Sequence, residues 1–232
     1  MVENQPKILL LTADDAFMHP HIDYAILHFL AQDFCPITNV SFMVNGENAA
    51  KAAEAYRDLK RSDAAFGLHL TLINRKRDFP SLLLQNYQSI RDRIEQQIEE
   101  FYTLLGDYPL HIDSHLGAQF SPNVLPQVIE IAGSLGISIR TLSGIPMDLS
   151  LTGTNSYLSA EKVTSVLGQG RSNKPMESVF HPAFAQGERR IPRFAYRYAE
   201  FEALADPRLQ IYFEENPHVR RMSWGDFQSS RK

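Results

Sequence analysis

The chain has 232 residues, and its 23 Lys and Arg against 27 Asp and Glu give a formal net charge of −4. This length favours one domain, which we expect to span residues 1–232, and a mildly acidic chain is not expected to bind nucleic acid. The hydrophobic content of 44% excludes wholesale disorder, and the single cysteine, Cys35, excludes an intramolecular disulfide framework and fits a reducing compartment.

The N-terminal segment carries no recognisable targeting signal. Its apolar run over 8–11 stops at Thr12 and is followed by Asp14 and Asp15. Such a run is too short for the apolar part of a signal peptide and far too short to cross a bilayer. We therefore expect a soluble cytoplasmic protein without a membrane partner.

Short apolar runs alternate along the chain with longer stretches of helical periodicity. The apolar runs predict strands over 7–13, 37–44, 65–72, 110–115, 138–142, 177–181 and 219–224. The helical patterns predict helices over 21–33, 47–59, 82–105, 123–135, 160–168 and 194–204. This alternation predicts parallel strands joined by helices, in an α/β barrel or an open doubly wound sheet. Both architectures place functional residues at the carboxyl ends of strands.

Two adjacent carboxylates, Asp14 and Asp15, follow the first predicted strand. Burying them requires a positive group nearby. Successive side chains of a strand point to opposite faces, so both can face one site only where the strand breaks into a loop. A helix N-cap or an Asx turn is the alternative interpretation of this pair.

Histidines lie in or at the ends of three later predicted strands. His69 belongs to an otherwise apolar strand, where a buried core histidine is the alternative to a ligand. His111, Asp113 and His115 alternate along the next one, so an extended strand would present all three on one face. Such a row suits a divalent cation, and a solvent-facing strand edge is the alternative. His181 ends a further strand, as a general acid or base or as a capping or core residue.

These strand ends together indicate a metal-dependent hydrolytic site more strongly than any of them does alone. One aspartate and two histidines, with positions left open for water, is the ligand count of such a site. The sequence contains no Gly-x-Ser-x-Gly nucleophile elbow and no phosphate-binding glycine loop. Covalent serine chemistry and dinucleotide chemistry therefore lose support.

An ordered set of short motifs resembles the YdjC-like (ChbG/HpnK) carbohydrate deacetylases. The motifs are LTADD at 11–15, MVN at 43–45, GLHLTL at 67–72, PLHIDSH at 109–115, IR at 139–140 and HPAF at 181–184. The stretch 193–207 is also similar, so that the resemblance covers almost the whole chain. It implies a distorted (β/α) barrel of the glycoside hydrolase/deacetylase type, in one domain. It further implies removal of the N-acetyl group from an amino sugar or a short N-acetylglucosamine-containing oligosaccharide, by a homodimer.

The resemblance also implies which residues hold a metal ion. Asp15, His69 and His115 correspond to the family's metal ligands. One carboxylate and two imidazoles discriminate little among Zn²⁺, Mn²⁺, Ni²⁺ and Mg²⁺, and we expect Mg²⁺ or Zn²⁺.

Four further positions correspond to residues around the family's reacting atoms. By resemblance Asp14 is the catalytic base and His181 the general acid. Asp113 corresponds to a carboxylate that orients a ligand or the substrate, and Arg140 to an active-site arginine, so both are expected to take part in substrate binding.

The chain departs from the usual family pattern in three places. Ala16-Phe17 replaces the Phe-Gly that usually follows the two aspartates, Gly117 and Gln119 replace two further histidines, and the segment 73–85 is short. These differences motivate an alternative, a non-catalytic carbohydrate-binding or regulatory barrel. A metal hydrolase acting on a different amide or ester is the other alternative.

Overall fold

The structure is a computed structural model that describes residues 6–59, 61, 63–140, 142–148, 158–169, 175–184 and 192–230. Within these residues the chain forms the strands β1 (Lys7–Ala16), β2 (Asn39–Phe42), β3 (Ala65–Leu70), β4 (His111–Ser114), β5 (Ser138–Ile139), β6 (Met147–Asp148), β7 (Met176–Phe180) and β8 (Val219–Arg221).

Helices connect these strands. They are α1 (Pro20–Leu30), α2 (Ala49–Asp58), α3 (Phe79–Leu83), α4 (Tyr87–Leu105), α5 (Leu125–Leu135), α6 (Ala160–Gln169), α7 (Pro192–Ala205), α8 (Pro207–Glu215) and α9 (Trp224–Ser229). None of the described helices combines the length and the apolar composition that a bilayer crossing would require.

All the described strands are parallel and belong to one curved sheet. Their order is β5-β4-β3-β2-β1-β7-β6, and β8 pairs with the first residues of β1 beside β2. β5 and β6 lie at the two ends of this order and do not pair with each other among the described residues. The sheet is therefore a curled half-barrel rather than a closed barrel. The structure thus confirms the expected distorted barrel with helical crossovers, and it brings the carboxyl ends of the strands to one rim.

The longest predicted helix is two helices in the structure. α4 begins only after Asn86, whose extended backbone and side-chain acceptor, 2.8 Å from the amide of Ser89, form an N-cap. It ends at Gly106 with a left-handed φ of 81°, as the glycine predicts. Residues 79–83 form the separate helix α3, so the predicted start at residue 82 is wrong.

The C-terminal part differs most from the predicted elements. The strand predicted over 219–224 ends at Arg221, because Ser223 and Asp226 form a capping box that starts α9. Trp224 at the start of α9 is fully buried and packs with Phe227 and Leu10 in a second, smaller apolar cluster. Sequence analysis also missed α8 and the two-residue strand β6.

Candidate active site

The two aspartates near the end of the first strand face one cleft because β1 is irregular there. The register of β1 against β2 shifts between Ala13 and Ala16, and Asp15 has a φ of 66°. A positive φ breaks the alternation of side chains, so consecutive carboxylates can point the same way. Asp14 and Asp15 are both buried and line the same cleft. This is the strand break that two carboxylates sharing one site require.

Phe17, two residues after Asp15, also has a left-handed backbone conformation. Phe17 has a φ of 72°, which costs a residue with a side chain on the order of 1 kcal/mol. Its ring is fully buried against Phe42 and Tyr56, with centroids 4.8 and 5.4 Å away. Its amide donates to Oδ1 of the buried Asp23 at 2.8 Å. These contacts offset the cost of the left-handed backbone at Phe17.

Gly46 allows the loop after β2 to pack directly on the backbone of Phe17. A Cβ at this position would lie 2.2 Å from the Phe17 carbonyl oxygen and 2.9 Å from that of Met43. We expect Gly46→Ala to lower the free energy of unfolding by about 3 kcal/mol or more, because backbone rather than a flexible side chain must move. Urea denaturation measures this change.

Gly133 provides the matched control for that substitution. It lies inside α5, where an added Cβ meets no atom within 4 Å. Gly133→Ala should therefore raise the free energy of unfolding by about 0.5–1 kcal/mol through helix propensity. Equal effects of the two substitutions would contradict the contact assigned to Gly46.

Two histidines from separate elements converge on Asp15, the second residue of the Asp pair. Oδ1 of Asp15 lies 3.3 Å from Nε2 of His69 on β3 and 3.2 Å from Nδ1 of His115 after β4. One ligand atom from each of these residues lies within 4.8 Å of the other two. Three such atoms around a common point are the donor set of a divalent metal site with open positions.

In a second group of possible metal ligands, the carboxylates are already bonded to an arginine. Asp14, His69 and Asp113 also bring ligand atoms within 4.8 Å of one another. The guanidinium of Arg140, however, bonds both oxygens of Asp14, at 2.8 and 2.9 Å, and also bonds Asp113. The geometry therefore favours Asp15, His69 and His115 as the metal ligands.

The predicted row of His111, Asp113 and His115 on one extended strand is formed only in part. β4 ends at Ser114, and His115 begins a 3₁₀ segment over 115–120 that contains a left-handed residue, Leu116, with a φ of 58°. The backbone is still extended at Ser114, and Asp113 and His115 line the same cleft, whereas His111 does not. The alternative of a solvent-facing edge is wrong, because His111 and Asp113 are buried and β4 lies between β3 and β5.

His111 is buried in the interior and does not line the cleft. Its ring stacks on Trp224 at a centroid distance of 5.8 Å, and it occupies the space beside Gly67, where a Cβ would lie 2.3 Å from the ring. Neither ring nitrogen has a hydrogen-bond partner among the described residues. Burial and the charge of Arg140 lower the pKa of His111 to about 3. A neutral imidazole is therefore built into the interior of the sheet.

This buried imidazole makes stability depend on pH. In the unfolded chain a histidine has a pKa of about 6.5, so below that pH the unfolded state takes up a proton that the folded state does not. Stability therefore falls as the pH drops from about 6.5 towards 3. Replacing His111 by Phe should make the loss of unfolding free energy between pH 7 and pH 5 smaller by about 2 kcal/mol, measured by urea denaturation. An unchanged pH dependence would show that His111 is protonated in the fold.

Asp113 connects His69 to the interior of the sheet. Its Oδ2 lies 2.7 Å from Nδ1 of His69, and its other oxygen accepts a hydrogen bond from the Ser41 hydroxyl. This contact leaves Nε2 of His69 directed at Asp15. A carboxylate on the far nitrogen is the usual way in which proteins fix the orientation of a metal-binding imidazole.

Arg140 is a buried cation that joins three carboxylates. Besides its bonds to Asp14 and Asp113, its Nε lies 3.2 Å from Oε1 of Glu177 on β7. Burial alone would lower the pKa of the guanidinium, but the charges of Asp113, Asp14 and Glu177 raise it well above its usual value. This positive group offsets the cost of burying Asp14 and Asp113, whereas Asp15 has its own cationic partner in Arg197.

Buried charged neighbours set the protonation of Asp15 and His69. Burial would raise the pKa of Asp15, but hydrogen bonds with His115 and His69 and the charge of Arg197 hold it well below its usual value. Burial would lower the pKa of His69, but the carboxylates of Asp113 and Asp14 raise it well above its usual value. The cluster thus keeps its carboxylate ionised and draws positive charge towards the imidazole.

His181 lines the same cleft and lies beside Asp14. Its Nε2 is 4.0 Å from Oδ2 of Asp14, and its side chain is 25% exposed. Its Nδ1 has no hydrogen-bond partner among the described residues, and its backbone amide donates to the Glu200 carboxylate on α7. The backbone of His181 is therefore held by α7, while its ring nitrogen Nε2 faces Asp14.

Sequence analysis missed two charged residues of this site. Arg197 on α7 forms an ion pair with Asp15, and Glu177 on β7 accepts a hydrogen bond from the Thr12 hydroxyl. Glu177 and His181 are four positions apart in one predicted strand, which could have indicated a common face. No local signal indicated Arg197, because its partner lies 182 residues earlier in the chain.

All the predicted site residues except His111 meet in one open cleft of about 490 Å³ at the carboxyl rim of the sheet. Ionisable side chains line it, among them the exposed Lys76. Apolar and aromatic side chains line it as well. They are Leu116, Phe120, Met147, Val179 and Tyr196.

One protein-family model matches most of the chain, including seven of the eight described strands of the sheet. The family described as YdjC-like protein matches residues 8–215. The chain belongs to the YdjC-like family. The matched residues run from β1 to the end of α8 and include every residue of the cleft.

Among relatives of this YdjC-like chain are the chitooligosaccharide deacetylases of Salmonella schwarzengrund and Salmonella typhimurium. Both are 25% identical to it over 241 aligned positions, which cover 90% of this chain and 95% of each relative. The alignment thus extends over almost the whole of both proteins, without a large unmatched domain in either.

Two solved structures share the fold of this YdjC-like chain. An Enterococcus faecalis protein named for cellobiose-phosphate cleavage superposes with a TM-score of 0.74 and 19% identity, covering 96% of this chain and 99% of that one. The Bc1960 peptidoglycan N-acetylglucosamine deacetylase gives a TM-score of 0.57 and 18% identity, covering 93% of this chain and 85% of that one. At these identities the likeness concerns the fold.

Proposed function

We propose that this YdjC-like chain is a metal-dependent carbohydrate N-deacetylase, a hydrolase of the N-acetyl group of an amino sugar or a short N-acetylglucosamine-containing oligosaccharide. One observation carries the proposal. Asp15, His69 and His115 bring three ligand atoms within 4.8 Å of one another, in a cleft that also contains Asp14 and His181. The names of the chitooligosaccharide deacetylase relatives support the substrate class.

The donor set fits a divalent ion with mixed ligands. Two imidazole nitrogens and one carboxylate oxygen suit Zn²⁺, whereas Mg²⁺ prefers oxygen ligands alone, so of the two expected ions the residues favour Zn²⁺. Such an ion, when held by Asp15, His69 and His115, supplies Lewis-acid chemistry that polarises an amide carbonyl and eases deprotonation of water.

Asp14 is proposed as the base that removes a proton from the attacking water. Each of its oxygens accepts one bond from Arg140, which leaves a further lone pair on each oxygen for the proton. The fork of Arg140 fixes the plane of the carboxylate, so that Asp14 is held ready rather than free to rotate.

His181 is proposed as the acid that gives a proton to the departing amine. Its Nε2 lies 4.0 Å from Oδ2 of Asp14, so the proposed acid and the proposed base stand side by side in the same cleft, within reach of one bound group. Asp113 and Arg140 are proposed as the residues that orient the site and the bound sugar. Both line the cleft, and their contacts run to His69 and Asp14.

An assay of acetate release tests the proposed reaction. Incubation of the full-length protein with di-N-acetylchitobiose or tri-N-acetylchitotriose should release acetate and leave a sugar with one free amine, detected by mass spectrometry. Binding of the sugars without acetate release would support the non-catalytic barrel instead. Hydrolysis confined to simple esters or peptide amides would support the other hydrolase.

Three further proposals concern the whole chain. We propose that residues 1–232 form one domain, supported by a sheet in which β8 near the C-terminus pairs with β1. A homodimer and a cytoplasmic location are proposed on the family resemblance and on the single, reduced Cys35. Analytical ultracentrifugation tests the dimer.

A further inference from the structure

Helix α7 supplies an arginine that contacts one of the proposed metal ligands. Nη2 of Arg197 forms an ion pair with Oδ2 of Asp15, and the arginine side chain is only 10% exposed. The other oxygen of Asp15, Oδ1, is the atom that lies near His69 and His115. The two oxygens of one carboxylate are therefore divided between the guanidinium and the metal-binding side of the cluster.

We propose that Arg197 is a positioning residue for Asp15, which holds Oδ2 so that Oδ1 alone is presented to the metal ion. This inference rests on the proposed function, since it takes Asp15, His69 and His115 as the ligands. A free carboxylate can rotate or offer both oxygens to a cation. A buried guanidinium on one oxygen removes that freedom before the ion arrives, which is how partners of ligands raise metal affinity.

The same arginine also touches the loop that carries the proposed acid. Nη1 of Arg197 lies 3.4 Å from the carbonyl oxygen of His181, and the Arg197 carbonyl accepts the amide of Ala183 at 3.1 Å. Glu200, one turn later on α7, accepts the amide of His181. One helix thus fixes the ligand carboxylate and the backbone of the acid relative to each other.

The alternative is that Arg197 only anchors α7 to the barrel. This is a weaker account, because α7 already buries Ala199, Phe201, Ala203 and Leu204 against the core. Those apolar contacts should keep the helix in place when the guanidinium is removed. Metal affinity separates the two accounts, because an anchoring role predicts a change in stability without a change in Zn²⁺ binding by the folded protein.

The test is titration of metal-stripped full-length protein with Zn²⁺, in competition with a chromophoric chelator. We expect Arg197→Met to weaken Zn²⁺ binding by about 10-fold or more, and Arg197→Lys, which keeps the charge but loses the fork, to weaken it less. The matched control is Arg208→Met, since Arg208 is an exposed arginine of α8 that pairs with Asp206 and Glu161. It should leave the affinity unchanged.

Two results would overturn the inference. One is a Zn²⁺ affinity of Arg197→Met within two-fold of the unmodified protein. The other is a tighter affinity, which is expected if Arg197 acts only as a positive charge that competes with the ion. If Arg197→Met does not fold, Arg197→Lys decides in the same way, with a loss of about three-fold or more expected and an unchanged affinity contradicting the proposal.

The failure of this inference differs from a failure of the proposed function. If the unmodified protein binds Zn²⁺ and releases acetate while Arg197→Met binds equally well, only the role of Arg197 is wrong. If the unmodified protein binds no Zn²⁺, the metal site itself is wrong. Visible absorption after Co²⁺ substitution adds a readout of coordination, and it should change in Arg197→Met but not in Arg208→Met.

Discussion

Asp14→Asn is expected to lower acetate release from N-acetylated chitooligosaccharides by roughly 10²–10⁴-fold, the usual contribution of a general base. The amide keeps the shape of the carboxylate and can still accept one bond from Arg140, but it cannot take a proton from water. Zn²⁺ affinity should stay within about two-fold, because Oδ1 of Asp15 and the imidazoles of His69 and His115 are unchanged. Steady-state kinetics and metal titration on the same preparation measure both effects.

The control for this substitution is Asp63→Asn. Asp63 pairs with Arg61 at the surface, so this change should leave both acetate release and Zn²⁺ affinity unaltered. If Asp14→Asn kept acetate release within about three-fold of the unmodified protein, Asp14 would not be the base. A loss of Zn²⁺ binding together with activity would instead assign Asp14 to the metal site.

Removal of His115 is expected to abolish most of both metal binding and activity. His115→Ala leaves one carboxylate and one imidazole, and we expect Zn²⁺ affinity to fall by about 100-fold or more, with a parallel loss of acetate release at limiting Zn²⁺. The fold should survive, because His115 lies in the turn after β4 and its side chain is 14% exposed. Circular dichroism and metal titration test these two statements separately.

An exposed histidine near the C-terminus provides the comparison. His218→Ala removes an imidazole outside the cleft and should leave Zn²⁺ affinity and activity unchanged. If both substitutions had the same small effect, His115 would not be a ligand, and the close approach of its Nδ1 to Asp15 would be an ordinary hydrogen bond.

The fold could be predicted from the sequence because its strands are short apolar runs between amphipathic helices. The centres of β1, β2, β3, β4, β5 and β7 all lie within the predicted ranges. The misses have local causes. Asp206 caps α8 through the amide of Arg208, and Ser223 caps α9. Each cap starts a helix where the apolar pattern alone predicts either no element or the continuation of a strand.

The site could be predicted only in part, because its geometry depends on backbone that the sequence pattern does not encode. Asp15 at a φ of 66° lines the same cleft as Asp14, although a regular strand would turn the two side chains to opposite faces. His111 shows the opposite error, since regular alternation placed it in the site and the structure buries it on Trp224. Arg197 comes from a distant helix, and only tertiary packing brings it to Asp15.

Reconstitution of acetate release by added metal tests the central claim most directly. Metal-stripped protein should release no acetate from di-N-acetylchitobiose, and activity should rise with added Zn²⁺ until one equivalent per chain is bound at Asp15, His69 and His115. Undiminished acetate release by the metal-stripped protein would contradict the account, as would a fully Zn²⁺-loaded protein that releases none from any N-acetylated sugar.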